Sequence, residues 1–115
     1  MRLRLLPLAL IAAFALVALG GVGTASARSC KDLRVSGGYL TNITVRGVSC
    51  STGHEVAREH RRKRLRNGVR GRFNGRVNGF RCREGERSSS GDQIAARVRC
   101  TRGEKRVTFV YTQFV

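Results

Sequence analysis

The stretch Gln93–Val115 reads QIAARVRCTRGEKRVTFVYTQFV, and it decides the fold. In its first half Ile94, Ala96, Val98 and Cys100 fall on one side of an extended chain, with Arg97 and Arg99 on the other. Arg102-Gly103-Glu104-Lys105 interrupts the run as a turn, and Arg106–Val115 resumes it with Val107, Phe109 and Tyr111 on one face. Two period-two strands around a short turn predict an antiparallel hairpin with one buried side.

Working outward, Gly79–Arg83 (GFRCR) predicts the preceding strand, and Glu84–Asp92 (EGERSSSGD) a polar loop. A turn centred near Gly91 would set Cys82 opposite Cys100. Asn74-Gly75 and Asn78-Gly79 are both tight-turn signals, with a short hairpin expected around Asn74-Gly75. Further back, Leu33 and Val35 alternate before Ser36-Gly37-Gly38 breaks the strand. Leu40–Cys50 (LTNITVRGVSC) then alternates Ile43 with Val45, and Gly47 shifts the phase to Val48, as a bulge would. A turn near residue 40 would bring Cys30 opposite Cys50. Asn42-Ile43-Thr44 fits a glycosylation acceptor and is read here as a strand edge or turn. Four cysteines allow three connectivities, and hairpin symmetry favours Cys30–Cys50 and Cys82–Cys100.

Between the halves a helix is expected. Thr52-Gly53-His54-Glu55 reads as its capping box. Val56, Ala57, His60 and Leu65 form a thin apolar stripe, Glu59 and Lys63 are spaced to pair, and Asn67-Gly68 ends the helix. The fold class predicted is α+β: a small antiparallel β-sheet with one packed helix in ββα-βββ order, stapled by disulfides. Its expected core is Leu33, Val35, Ile43, Val45, Val56, Phe80, Ile94, Val98, Val107, Phe109 and Tyr111.

Composition and the amino terminus bound the function. Arg2 and Arg4 precede an apolar run, Leu5–Gly20, and Ala25-Ser26-Ala27 offers small residues for cleavage after Ala27, the layout of a secretory signal peptide. The domains expected are thus a signal peptide over 1–27 and one small secreted domain over 28–115. Removal would leave 88 residues and lower the formal net charge from +16 to +14, because Arg2 and Arg4 depart. A chain of that length holds one small core, and exported domains of this size are commonly stapled. Cysteine separations of 20, 32 and 18 contain no Cys-x-x-Cys pair, which disfavours zinc. His54-Glu55-x-x-x-Glu59-His60 resembles a metalloprotease helix, yet its histidines are six apart and diverge by about 120° at ~100° per residue. No cofactor, metal or catalytic residue is assigned. A serine elbow, a paired-carboxylate arrangement and a glycine-rich phosphate loop before a helix are all missing from the sequence.

The run Ile43-Thr44-Val45-Arg46-Gly47-Val48-Ser49-Cys50, a helix, Gly79-Phe80-Arg81-Cys82, Val98-Arg99-Cys100-Thr101-Arg102-Gly103 and Val107-Thr108-Phe109 resembles small secreted cysteine-containing proteins of high-GC Gram-positive bacteria (Actinobacteria). The resemblance covers most of the chain beyond residue 27 and rests on cysteines, turns and strand residues. It implies location and fold, and no catalytic residue. This chain departs from the group in its arginine-dense connector.

That connector, Arg58–Arg76, reads REHRRKRLRNGVRGRFNGR, with one acid, Glu59. Arg58, Arg61, Arg62, Lys63, Arg64, Arg66, Arg70, Arg72 and Arg76 are the candidate polyanion-binding residues, since guanidinium forks match phosphate, carboxylate and sulfate. The plain alternative is a solvated surface in an arginine-biased composition. Outside the cell the anions would be cell-wall polymer, anionic lipid or DNA, and cytoplasmic nucleic acid is excluded once a signal is cut. Phe73 and Phe80 are the only aromatics near the tract, too few for a stacking platform. The second reading is a protein-binding module or inhibitor of the cell envelope, contacting an unknown envelope protein through the Glu84–Asp92 loop. A monomer is expected, meeting a membrane only through an uncleaved signal.

Overall fold

The computed structural model describes residues 26–115. The apolar run Leu5–Gly20, expected to belong to a signal peptide, lies outside the described residues. Seven strands and one helix follow in the order β1 (Arg28–Ser29), β2 (Leu33–Val35), β3 (Gly38–Arg46), α1 (Cys50–Leu65), β4 (Gly75–Val77), β5 (Phe80–Ser90), β6 (Gln93–Arg102) and β7 (Lys105–Phe114). The α+β class and the single helix match expectation, and two short strands, β1 and β4, are added to the predicted order. All pairings are antiparallel, and the sheet runs β1-β3-β7-β6-β5-β4, with β2 also on β3. The helix carries the chain from β3 to β4 at the far side of the sheet. The meander β4–β7 then returns until β7 lies beside β3.

Alternation in β6 and β7 holds throughout. Ile94, Ala96, Val98, Cys100, Val107, Phe109 and Tyr111 are buried, joined by Leu40, Ile43, Val45, Val77, Phe80 and Cys82. Leu33 and Val35, expected in the core, are half-buried beside it. The helix lies on this inner face at close range. A Cβ added to Gly53 would come within 2.5 Å of a Val45 methyl, so the absence of a side chain lets the helix approach the sheet.

Two bulges keep the alternation in phase. Leu40 and Ile43 are three residues apart and would face opposite sides of a regular strand. The register slips between Thr41 and Thr44, and Asn42 takes a left-handed φ of 51°, so both side chains turn inward. The bulge therefore sits at Asn42, where asparagine tolerates positive φ, and Gly47 lies beyond the strand's end. A second slip between Glu84 and Arg87 brings both of those side chains inward too.

Both disulfides are formed, Cys30–Cys50 and Cys82–Cys100. The second joins direct cross-strand partners, as the hairpin reading predicted. The first does not: Leu40 is mid-strand rather than a turn, and Cys50 opens the helix. The bridge ties the residue after β1 to the helix N-terminus.

Local signals explain the other differences. Ser49, not Thr52, caps the helix, its Oγ accepting from Thr52 N at 3.2 Å. Leu65 is half-buried, and Gly53 and Arg64 complete the buried stripe instead. The tight hairpin is at Asn78-Gly79, both at positive φ, with Val77 paired to Phe80. Asn74 precedes β4 and its Oδ1 accepts from Glu84 N at 2.7 Å. The expected loop Glu84–Asp92 is strand to Ser90, leaving Gly91-Asp92 as a two-residue turn. β4 covers only the start of β5, so the rest is an edge strand, and its serines and charges are what an edge carries.

Candidate polyanion-binding face

The helix covers one face of the sheet, so the residues alternating with the core line the other. Register places them in rows across the strands. One row runs Arg76, Arg81, Thr101, Arg106, Arg46 over β4, β5, β6, β7 and β3. The next runs Arg83, Arg99, Thr108, Thr44 and Ser29 over β5, β6, β7, β3 and β1. A third holds Arg97, Val110 and Thr41. Successive rows are about 7 Å apart and neighbouring strands about 4.8 Å. Arg76, Arg81, Arg83, Arg97 and Arg99 are exposed, and Arg46 and Arg106 are half-buried. None of the seven has a carboxylate oxygen within 4.0 Å among the described residues. Open depressions lie along the rows, one lined by Arg81, Arg83, Arg99 and Thr101, another by Arg46, Thr44, Arg106 and Thr108.

Three of these contacts set arginine directly opposite arginine: Arg46–Arg106, Arg76–Arg81 and Arg83–Arg99. Like charges at such positions repel and destabilise a sheet. Thr41, Thr44, Thr101, Thr108 and Thr112 supply hydroxyls between the charges.

The connector is divided by the structure. Of its nine candidate basic residues, Arg76 joins the sheet face. Arg58, Arg66, Arg70 and Arg72 are exposed. Arg62 is held by Glu59, Nη2 to Oε2 at 2.6 Å. Arg61 donates to Ser36 O, and Lys63 donates to Arg76 O at 3.0 Å and sits over the Phe73 ring. Arg64 is 1% exposed and leaves the surface set altogether.

Arg64 belongs to a polar network between helix and sheet. Its Nη2 donates to Gln113 Oε1 at 2.8 Å, its Nη1 to Val69 O at 3.2 Å, and its guanidinium lies 4.2 Å from the centre of the Tyr111 ring. Glu84 has a side chain 0% exposed and accepts from Tyr111 OH and Phe73 N. Arg87 donates to Tyr111 OH at 2.9 Å, to Gly71 O at 3.0 Å and to Arg70 O at 2.6 Å. His60 Nε2 donates to Phe73 O at 3.0 Å, so its Nδ1 is the bare nitrogen, buried without a partner. These bonds pin residues 69–73, which have no regular secondary structure, to the sheet. Sequence reasoning treated the arginine run as solvated and did not find this network.

Burial is the main reason His60 titrates below its ordinary 6.5. The hydrogen bond to Phe73 and the charge of Glu84 oppose that shift, and Arg64 adds to it. Above about pH 6.5 the imidazole is neutral in both states and costs nothing. As pH falls below that value the unfolded chain takes a proton that the folded chain refuses. Stability is therefore expected to decline from about pH 6.5 downward, by at most ~1.4 kcal/mol per pH unit, until His60 itself protonates. Nuclear magnetic resonance of the folded protein should show a neutral His60 ring at pH 6.5, and a half-protonated ring there would refute it. Burial likewise raises the Tyr111 phenol, aided by its bond to Glu84, so it stays neutral near pH 7.

His54 is elsewhere, its Nε2 donating to Lys31 O at 3.0 Å, so the two histidines do not converge. Among the described residues, no helix is long and apolar enough to cross a membrane. Searches with protein-family models, among curated proteins and among solved structures gave no match to this chain.

Proposed function

We propose that this is a small exported basic protein that binds polyanions without sequence specificity, through the uncovered face of its sheet. The observation that carries the reading is the set of three cross-strand arginine pairs with no carboxylate beside them. Such pairs oppose folding, and a bound anion would turn that repulsion into attraction. Two disulfides fit an oxidising location, and β1 begins at Arg28, the first residue after the expected cleavage site. A binding role suits the chain better than catalysis. His60, Glu84, Tyr111 and Arg87, the most enzyme-like cluster of side chains, are committed to bonds that hold residues 69–73 in place.

The protein should bind heparin and DNA resins at ~50 mM salt and elute well below ~1 M. Arg83→Thr should reduce the slope of log affinity against log salt by about 1, the share of one phosphate contact. The same substitution relieves the repulsion with Arg99 and should raise unfolding free energy by about 0.2–1 kcal/mol at low salt. Weaker binding together with higher stability is the signature of this face. Binding that survives ~1 M salt, or that is absent at ~50 mM, removes the electrostatic reading.

A further inference from the structure

The uncovered face also carries two aromatic rings that lie far apart in sequence. Tyr39 is paired with Thr112 on the row beyond Thr41, and Phe114 follows on β7, opposite Gln93. Their ring centres are 5.6 Å apart in an edge-to-face contact. They are 36% and 39% exposed, two of the three large apolar side chains that remain open to solvent among the described residues. The Arg34 guanidinium lies 5.8 Å from the centre of the Tyr39 ring.

Their position relative to the charges is linear. Along β6 the outward residues are Arg99, Arg97, Ala95 and Gln93, and Phe114 stands beside the last of them. Arg83 flanks Arg99 from β5. The column from Arg99 to Gln93, beside which Phe114 stands, spans six residue steps, about 20 Å. Its two arginines, Arg99 and Arg97, stand two residues apart, about 7 Å, a spacing close to that of successive phosphates in an extended strand, and Ala95 and Gln93 lie between them and Phe114. A basic patch with an exposed aromatic pair further along the same face is an arrangement that can hold single-stranded nucleic acid: phosphates on the guanidinium groups, a base stacked on a ring.

From this we infer that the preferred polyanion is single-stranded nucleic acid, with phosphates on Arg81, Arg83, Arg99 and Arg97 and a base at Tyr39–Phe114. The inference rests on the polyanion-binding reading and names its ligand. A duplex keeps its bases stacked inside and offers no ring face to this pair. A membrane surface would reward aromatics ringed by basic groups, whereas here the rings close one end of a column. Preference among bases should be slight, because every base has a stacking face.

The test uses the oxidised protein and fluorescence anisotropy with four probes. These are a labelled oligothymidylate, an abasic strand of the same length, a duplex hairpin, and phosphatidylglycerol vesicles titrated as competitor. The oligothymidylate should bind about tenfold tighter than the abasic strand, the worth of one stacked base. Phe114→Ala and Tyr39→Ala should erase that difference and leave abasic binding unchanged, whereas Arg99→Ala should weaken both. The wild-type comparison needs no variant, so a folding defect cannot hide the result. Equal affinity for the two single strands, tighter binding of the duplex, or displacement by vesicles at lower anion concentration each overturns the inference while the polyanion reading stands. Failure to bind any of the four at low salt overturns both.

Discussion

Glu84→Ala is expected to lower the unfolding free energy by about 3–5 kcal/mol, the usual cost of stripping one partner from a buried charged cluster. The carboxylate accepts from Tyr111 OH and Phe73 N and lies 4.0 Å from Arg87 Nη2 and 3.9 Å from His60 Nε2. Alanine would leave a phenol and an amide without acceptors, and two enclosed guanidinium groups, Arg64 and Arg87, without a counter-charge. For a domain of this size the loss is a large share of the total. Glu84→Gln keeps the shape and one acceptor oxygen but removes the charge, so it should fall between alanine and wild type. Urea unfolding followed by circular dichroism measures all three. A loss below about 1 kcal/mol for alanine would mean that water or repacking replaces the carboxylate. Because the network pins residues 69–73 through Phe73, Gly71 and Arg70, the alanine variant should also become sensitive to proteolysis within that segment.

Replacing Cys82 and Cys100 together by alanine should cost about 3 kcal/mol from the lost constraint on the unfolded chain, plus a packing penalty. The two cysteines are 18 residues apart and both are 0% exposed in the core. Cys30 and Cys50, 20 residues apart, close a loop of nearly the same length but are only half-buried at the edge of the core. Their double alanine variant should lose the same entropic part without the full cavity cost. Thermal melts of the two variants decide this. If Cys82→Ala/Cys100→Ala is the more stable of the two, core packing at that bridge contributes nothing. Removing both bridges should leave the chain unfolded at 37 °C, as is usual for small domains that rely on disulfide staples.

The legible parts of the fold are those governed by short-range periodicity. In β6 and in β7 as far as Tyr111 every second residue is apolar, so strand, face and turn follow from steric alternation alone. The turn at Gly91-Asp92 joins β5 to β6, and the register of that second hairpin puts Cys82 opposite Cys100. Asn78-Gly79 was visible as a turn, but so was Asn74-Gly75, and only pairing across the sheet chooses between them. Thr52 is the expected helix cap, and Ser49 takes that place because β3 ends at Arg46 and the helix already begins at Cys50. The Cys30–Cys50 pairing was anticipated from the wrong geometry, since a cysteine beginning a helix leaves the same spacing as one in a strand.

The sequence by itself determined a basic, disulfide-stapled α+β domain with an alternating sheet, because charge, cysteine spacing and period-two patterning are local properties of the chain. It also placed Arg97 and Arg99 opposite the core. Only the tertiary structure decided which arginines act together. Burial of Arg64 depends on the carbonyl of Val69 and on Gln113, 49 residues away, and no charge count reveals partners that folding supplies. The paired arginines on five strands and the Tyr39–Phe114 contact arise the same way. Strand pairing joins residues distant in sequence, and it moves the basic face from the linear tract at Arg58–Arg76 to the open side of the sheet.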